Sequence, residues 1–433
     1  HHFAAIAGAG PLVGPVLAAQ MGYLPGTLWI IIGVLVAGAV QDMLVLFFSM
    51  RRGGRSLGQM ATDEIGKIGG IVATVVVFVM LMIVLAVLAM VCVNALAASP
   101  WGVFSVGMTI PIAIAMGLWL RFVQPGKITQ VSFVGFGLLI AVIIGGRWVA
   151  ESSFGHYLHL SPTALVWAMI IYGFLAAVLP VWVLLTPRDY LSTFMKVGTI
   201  TILALGIIIV RPLVEMSAVT EFAFNTAGPV FAGTLFPFLF ITIACGALSG
   251  MHAMVSSGTS PKMVEKETQV RMIGYGGMLM ESFVAIMALA AAVSLSPGIY
   301  FSMNTSTATM NKIAGPETVA SAPCKTTDDP EHHCEKLAEA AVAKLGVTDA
   351  QGRKPTPEWD SWDDQGNPKT YTGAEALERL ASDVGEPNVV SRTGGAPTLS
   401  VGIAHILHQI GGGRAMMGFW YHFAIMFEAL FIL

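Results

Sequence analysis

Residues 1–20 read HHFAAIAGAGPLVGPVLAAQ, and no Asp, Glu, Lys or Arg occurs before Asp42. The stretch is apolar enough for lipid, yet Gly8, Gly10, Pro11, Gly14 and Pro15 crowd its middle. Proline removes a backbone donor and clashes with the preceding turn, and glycine loosens a helix further. A helix broken at mid-membrane frees N–H and C=O groups that lipid cannot satisfy. Such breaks persist where the freed groups line a cavity and hold a ligand, as in secondary transporters. The plainer reading is a glycine-rich face for helix–helix packing. Two prolines do nothing for close packing, so a break is the expectation.

The rest of the chain fits a lipid environment. Of 433 residues, 55% are hydrophobic and 11% charged, with a mean hydropathy of +0.73. A soluble domain carries about 25% charged residues. The net charge of −3 and the lack of a basic stripe exclude a nucleic-acid partner. The chain opens and closes inside apolar segments and shows no cationic n-region of a signal peptide. It therefore reads as a piece of a longer protein.

Apolar segments of spanning length fall at roughly 3–22, 24–50, 69–98, 102–120, 128–149, 164–186, 192–212, 229–250, 271–296 and 413–433. Lys and Arg in the short loops set orientation. One set of loops carries Arg51, Arg52, Arg55, Lys67, Arg121, Lys127, Arg188, Lys196, Lys262, Lys266 and Arg271; the alternate set carries Arg147 and Arg211. The rich set is expected to face the cytoplasm. The first five spans then begin inside and the next five outside, which relates two five-span units by inverted topology. Pro180 and Pro187, in AAVLPVWVLLTPRDYL, suggest a second break at the place in the sixth span that matches the first. The expected fold is an all-α polytopic membrane protein of about ten spans in this fragment. Residues 1–150 form one inverted-repeat half and 151–296 the other. Residues 297–398 form an extracytoplasmic cap, and 399–433 start a truncated C-terminal membrane region.

The cap is chemically distinct, with 15 of the 26 acidic and 9 of the 23 basic residues. Residues 331–345 and 373–384 read as short amphipathic helices. Cys92 and Cys245, in spans, read as packing residues. Cys324 and Cys334 lie in the cap, where an oxidising compartment favours a disulfide. His332, His333 and Cys334 offer a metal cluster as the alternative, but their spacing fits no standard site, and no metal or cofactor is expected.

Several long motifs resemble the carbon starvation protein A (CstA) family. They are HHFAAIAGAGPLVGPVLAAQMGYLPGTLW, AGAVQDMLVLF, SMRRGGRSLG, AAVLPVWVLLTPRDYLSTF, LFPFLFITIACGALSGMHAMVSSGTSPKM, IGYGGMLMESFVAIMAL and FWYHFAIMFEALFIL. The resemblance covers nearly the whole chain; only about 316–372 carries none of these motifs. It implies a bacterial inner-membrane uptake system, induced on carbon limitation, that transports peptides or carries pyruvate with protons. It also implies the five-plus-five inverted repeat of the amino acid–polyamine–organocation transporters.

Ionisable groups inside a bilayer are costly and usually functional. Asp42 and Glu281 sit within spans, and Glu428 lies in the last segment near His422. Each carboxylate is a candidate carrier of a coupled proton or a structural hydrogen-bonding group. His1 and His2, at the inner end of the broken span, offer a proton relay, a metal site or plain polar contacts. Ser249, Ser256, Ser257, Thr259 and Ser260 flank His252 and offer oxygens to a Na⁺ ion, the alternative to a coupled proton. Arg188, beside Asp189, can clamp a substrate carboxylate or act as a loop cation. Backbone N–H groups near Gly10 to Gly14 are the safer anion site.

The reading is a secondary active importer of pyruvate or small peptides, not an enzyme, with the bilayer and a small-molecule substrate as partners. Its substrate-site candidates are Gly8, Gly10, Pro11, Gly14, Pro15, Pro180 and Arg188. Those for ion coupling are Glu281, Asp42, His1, His2, Ser249, Ser256 and Thr259. A channel would need a continuous polar stripe, and an intramembrane enzyme a nucleophile–base pair or HExxH-type spacing; the sequence has neither. A nutrient sensor whose cap binds the ligand fits the same pattern, as does Na⁺-coupled uptake of a different small carboxylate.

Overall fold

The computed structural model describes residues 2–97, 99–123, 127–180, 183–321, 324, 333–363, 365–410 and 413–432. Among them, five helices are long and apolar enough to cross a membrane: Tyr23–Arg51, Lys67–Leu96, Pro100–Val123, Thr129–Glu151 and Glu267–Val293. The Lys67–Leu96 helix is the extreme case. Only 11% of its most apolar window is buried, and Val75, Phe78, Met82 and Leu85 stand exposed along it. A surface this apolar is stable only against lipid or against further protein.

The first segment is broken. Helix His2–Ile6 stops, and a second helix, Gly10–Ala18, starts after Ala7, Gly8 and Ala9. The break lies four residues before Pro11, where a proline ring would strike the carbonyl of a continuous helix. Pro11 itself sits in the first turn of the new helix, where its missing N–H costs nothing. Pro15 lies inside that helix and does not break it.

A second interruption occupies 240–258. Short helices Phe240–Thr242 and Ala244–Ala247 give way to extended backbone at Leu248 and Ser249, and Gly250–Gly258 resumes. The expected break in the sixth segment is a different feature. Helix Pro162–Val178 ends before Pro180, and a separate helix, Leu185–Val210, follows. Pro180 thus lies between two helices, and Pro187 in the first turn of the second. The sixth segment is thus interrupted at Pro180, as the first is before Pro11, and a further interruption lies in the eighth segment.

Gly10–Ala18 packs on Gly276–Val293, and the core around it includes Leu12, Val16, Ile243, Ala285, Ala288 and Ile403. Two elements of this core carry no span-length pattern in the sequence. Helix Ala396–Leu407 is buried against Gly10–Ala18 and Gly276–Val293. Helix Pro297–Asn304, expected in the cap, is buried throughout. Its Tyr300 hydroxyl lies 2.8 and 2.9 Å from the Val16 and Leu17 carbonyls, closing the end of the first broken helix.

The cap contains the two expected amphipathic helices, as His333–Val342 and Gly373–Val384. An antiparallel hairpin, Glu358–Trp362 with Pro368–Thr372, joins them, with Trp359 opposite Tyr371. Cys324 and Cys334 are disulfide-bonded, with Cα atoms 4.6 Å apart. His332 lies outside the described residues.

Candidate functional site

The two interruptions together line a cavity of about 390 Å³. One wall carries Gly8, Ala9 and Gly10, a second Cys245, Ser249 and Met251, and helix Lys67–Leu96 adds Val87 and Val91. At the first break, Ala7 N–H still bonds Phe3 and Gly8 N–H bonds Ile6. Those of Ala9 and Gly10 have no acceptor among the described residues. Unpaired N–H groups at the start of a helix favour an anion.

The carbonyl side of the same break is covered. Lys196 Nζ donates to Ala4 O at 2.8 Å and Ala7 O at 3.2 Å. A buried ammonium thus closes the C-terminal end of the first half-helix, where the helix dipole favours a cation. Lys196, together with the buried Arg188, leaves the set of loop cations counted for orientation.

Close packing fixes the two breaks against each other. A Cβ on Gly10 would collide with Cys245, and one on Gly14 with the Thr242 carbonyl. These two glycines therefore serve close packing, and both also line the cavity. A Cβ on Gly8 would meet nothing within 4 Å, so of the three cavity-lining glycines Gly8 is the open one. On the second break, Gln41 Nε2 donates to Ser249 O at 2.7 Å, and Gly38 admits the Ala247 carbonyl. Gly38 ends a π-helical turn, Val34–Gly38, a feature frequent at functional sites. One turn later the helix presents Asp42.

Asp42 and Glu281 meet at His252. His252 Nδ1 lies 3.1 Å from Asp42 Oδ2, and Nε2 lies 3.1 Å from Glu281 Oε2. All three residues are fully buried. Cys245 adds its thiol, with Sγ donating to Glu281 Oε1 at 3.4 Å and lying 3.7 Å from His252 Nε2. The four side chains come from four separate helices: Asp42 from Tyr23–Arg51, Cys245 from Ala244–Ala247 and His252 from Gly250–Gly258 on the two sides of the second break, and Glu281 from Gly276–Val293. Protons can be shared within this chain in several arrangements without moving heavy atoms, which is what a relay requires.

The other candidates separate into near and far. Ser249 lines the cavity. Ser256 is buried on the helix that carries His252, and its hydroxyl has no partner among the described residues. Thr259 is exposed beyond that helix. His2 Nδ1 lies 2.7 Å from Ser260 Oγ. Both line a second cavity of about 590 Å³, together with Gly277 and Met280, which precede Glu281 on the same helix. His1 lies outside the described residues. Pro180 and Arg188 are not on the cavity wall; the Arg188 guanidinium stacks on Tyr172 at 4.7 Å. Glu428 is buried and accepts a hydrogen bond from Ser400 at 3.2 Å.

Sequence pattern alone gives His252 no role of its own and assigns Cys245 to packing. The signal for both is present in GALSGMH. Gly246, Ser249 and Gly250 repeat the small-residue density of residues 8–14, with a lone Cys and a lone His on either side.

A family model described as carbon starvation protein CstA matches residues 1–356 and 359–433. The peptide transporter CstA of Mycobacterium tuberculosis H37Rv is 54% identical over all of this chain, which covers 52% of that protein. The pyruvate/proton symporter BtsT of Escherichia coli K12 is 51% identical over all of the chain, covering 57% of that protein. The peptide transporter CstA of Bacillus subtilis 168 is 40% identical, with 62% covered. The chain thus spans a little over half the length of these relatives. No solved structure matches it.

Proposed function

The chain belongs to the carbon starvation protein CstA family, and on that premise we propose that it forms the transport core of a multi-pass secondary active importer in the bacterial inner membrane. Its substrate is pyruvate or a small peptide, taken up with protons. One observation carries the proposal: two interrupted helices line a cavity with unpaired N–H groups on one side and, on the other, Cys245, which leads to a buried Asp42–His252–Glu281 chain.

The division of labour follows from the chemistry. Pyruvate and peptides share a carboxylate, and the Ala9 and Gly10 N–H groups at the start of Gly10–Ala18 suit it. The apolar wall of Val87 and Val91 suits the rest of the substrate. The cavity is of ordinary small-molecule size and admits either class. The proton rides on the buried triad, reached from the His2 side through the second cavity. Ten crossings in two units of inverted topology belong to the same proposal, supported by the charge asymmetry of the remaining short loops.

Counter-flow in proteoliposomes of the intact protein tests the reading. Labelled pyruvate exchanging against unlabelled pyruvate, or labelled dipeptide against dipeptide, supports it and selects the substrate. No exchange of either class overturns it.

A further inference from the structure

We propose that Cys245, His252 and Glu281 form a binding site for a divalent transition-metal ion of the Zn²⁺ type, with Asp42 as the group that orients it. The ligand atoms, Cys245 Sγ, His252 Nε2 and a Glu281 carboxylate oxygen, all lie within 4.8 Å of one another. The finer spacings are 3.7 Å from Sγ to Nε2, 3.4 Å from Sγ to Oε1 and 3.1 Å from Nε2 to Oε2. With Zn–S near 2.3 Å and Zn–N and Zn–O near 2.0–2.2 Å, a tetrahedron sets such atoms about 3.4–3.6 Å apart. The two Glu281 contacts use different carboxylate oxygens, so the carboxylate must turn to bring one of them onto an ion shared with Cys245 and His252, from a starting set that lies within 4.8 Å.

Three further features fit. In the tautomer that donates the Nδ1 hydrogen of His252 to Asp42, 3.1 Å away, the Nε2 lone pair turns toward Cys245 and Glu281. That is the carboxylate–histidine–metal arrangement found behind most ligating imidazoles. In this tautomer a lone pair faces a carboxylate oxygen at 3.1 Å, and only a positive charge between them makes the contact favourable. A proton supplies it in the transport reading, and a metal ion supplies it equally well. Lastly, three protein ligands leave a fourth position open, as in catalytic rather than structural zinc sites. Cys245 lies on the cavity wall, which gives the ion an entry path and the open position a neighbour. Binding sends to water both the Cys245 thiol proton and the proton shared by His252 and Glu281, and forms metal–thiolate, metal–imidazole and metal–carboxylate bonds with no change of oxidation state.

The site is independent of whether the protein transports anything, so its test uses no uptake. Purified intact protein in detergent is titrated with Co²⁺. The expected result is a thiolate-to-cobalt charge-transfer band saturating at one ion per chain, removed by added Zn²⁺ and absent in Cys245→Ser. Asp42→Asn should weaken binding 10–100-fold while retaining the band. A band equally strong in Cys245→Ser, or no band in the unaltered protein, overturns the proposal. Should the variants fail to fold, alkylation of Cys245 in unaltered protein decides, read by peptide mass spectrometry. Stoichiometric Zn²⁺ should slow it at least tenfold, and an unchanged rate overturns the proposal. If metal binds but counter-flow is absent, the transport reading fails while this site stands; the reverse outcome separates them the other way.

Discussion

His252 Nε2 and Glu281 Oε2 lie 3.1 Å apart, both fully buried, on two helices that the chain brings together only after interrupting one of them. The interruption at Leu248 and Ser249 matters because Cys245 and His252 stand on its two sides. A continuous helix would carry them past Glu281 on a fixed pitch. The break lets both reach one carboxylate.

Gly8→Val should impair transport without loss of folded protein, because its side chain enters open space on the cavity wall. Gly10→Val and Gly14→Val should instead lower the yield of folded protein, since their side chains meet Cys245 and the Thr242 carbonyl. Gly137→Val, with nothing within 4 Å and outside the cavity, should leave both unchanged. Uptake measured beside detergent-extracted yield separates these cases. A Gly8→Val protein that folds and transports normally would remove the first break from the substrate site.

Lys196→Met keeps the length and apolar bulk of the side chain but removes the donor from the Ala4 and Ala7 carbonyls. Leaving buried carbonyls unpaired costs about 1–3 kcal/mol each. The variant should melt several degrees lower, and the loss should be larger than for a surface lysine such as Lys266. Equal melting curves would show that the first break holds without its ammonium cap.

How much of the molecule is legible in the sequence depends on the residue. The break before Pro11 is legible because proline chemistry is local. So are the cap helices, whose apolar periodicity is carried on short amphipathic segments. Asp42 and Glu281 are legible because a carboxylate in an apolar span stands out. The second break is not, because no proline marks Leu248–Ser249. It is held by tertiary contacts, Gln41 to the Ser249 carbonyl and Gly38 against Ala247. Lys196 is misplaced for a related reason. A single lysine near a span end reads as a loop cation until the carbonyls it covers are known. Helix Ala396–Leu407 is too short to register as a span, although it is buried along nearly its whole length.

The cap disulfide should be present in protein from the oxidising side, and its loss should cost roughly 2–3 kcal/mol of cap stability for so short a loop. Mass spectrometry after alkylation without reductant checks this. Full alkylation of both Cys324 and Cys334 would contradict it.

Glu386 and Arg392 tie the region between cap and membrane to the end of helix Lys67–Leu96. Arg392 donates to Glu386 at 3.3 Å and to Ala95 O at 3.2 Å, and Ser99 donates to Glu386 at 2.7 Å. Burial pushes the Glu386 carboxyl above its ordinary range, and Arg392 opposes the shift. A carboxyl raised in the folded state contributes stability below its unfolded pKa and loses it as pH rises through the folded one. Arg392→Met removes the opposing charge, so that loss should deepen. The melting gap to the unaltered protein should widen as pH rises above the ordinary carboxylate range, toward the roughly 3–5 kcal/mol of a broken buried pair. The double variant with Glu386→Gln should flatten the profile. Parallel curves for the single variant and the unaltered protein would contradict the pairing.

Glu281→Gln tests the central claim most directly. The amide keeps the shape and most hydrogen bonds of the carboxylate at His252 and Cys245 but cannot carry a proton. In proteoliposomes of the intact protein under an inward proton gradient, the account predicts that the variant no longer accumulates its substrate while counter-flow exchange remains measurable. Accumulation at the unaltered level in Glu281→Gln would contradict it, making Glu281 a structural group and moving the proton to Asp42.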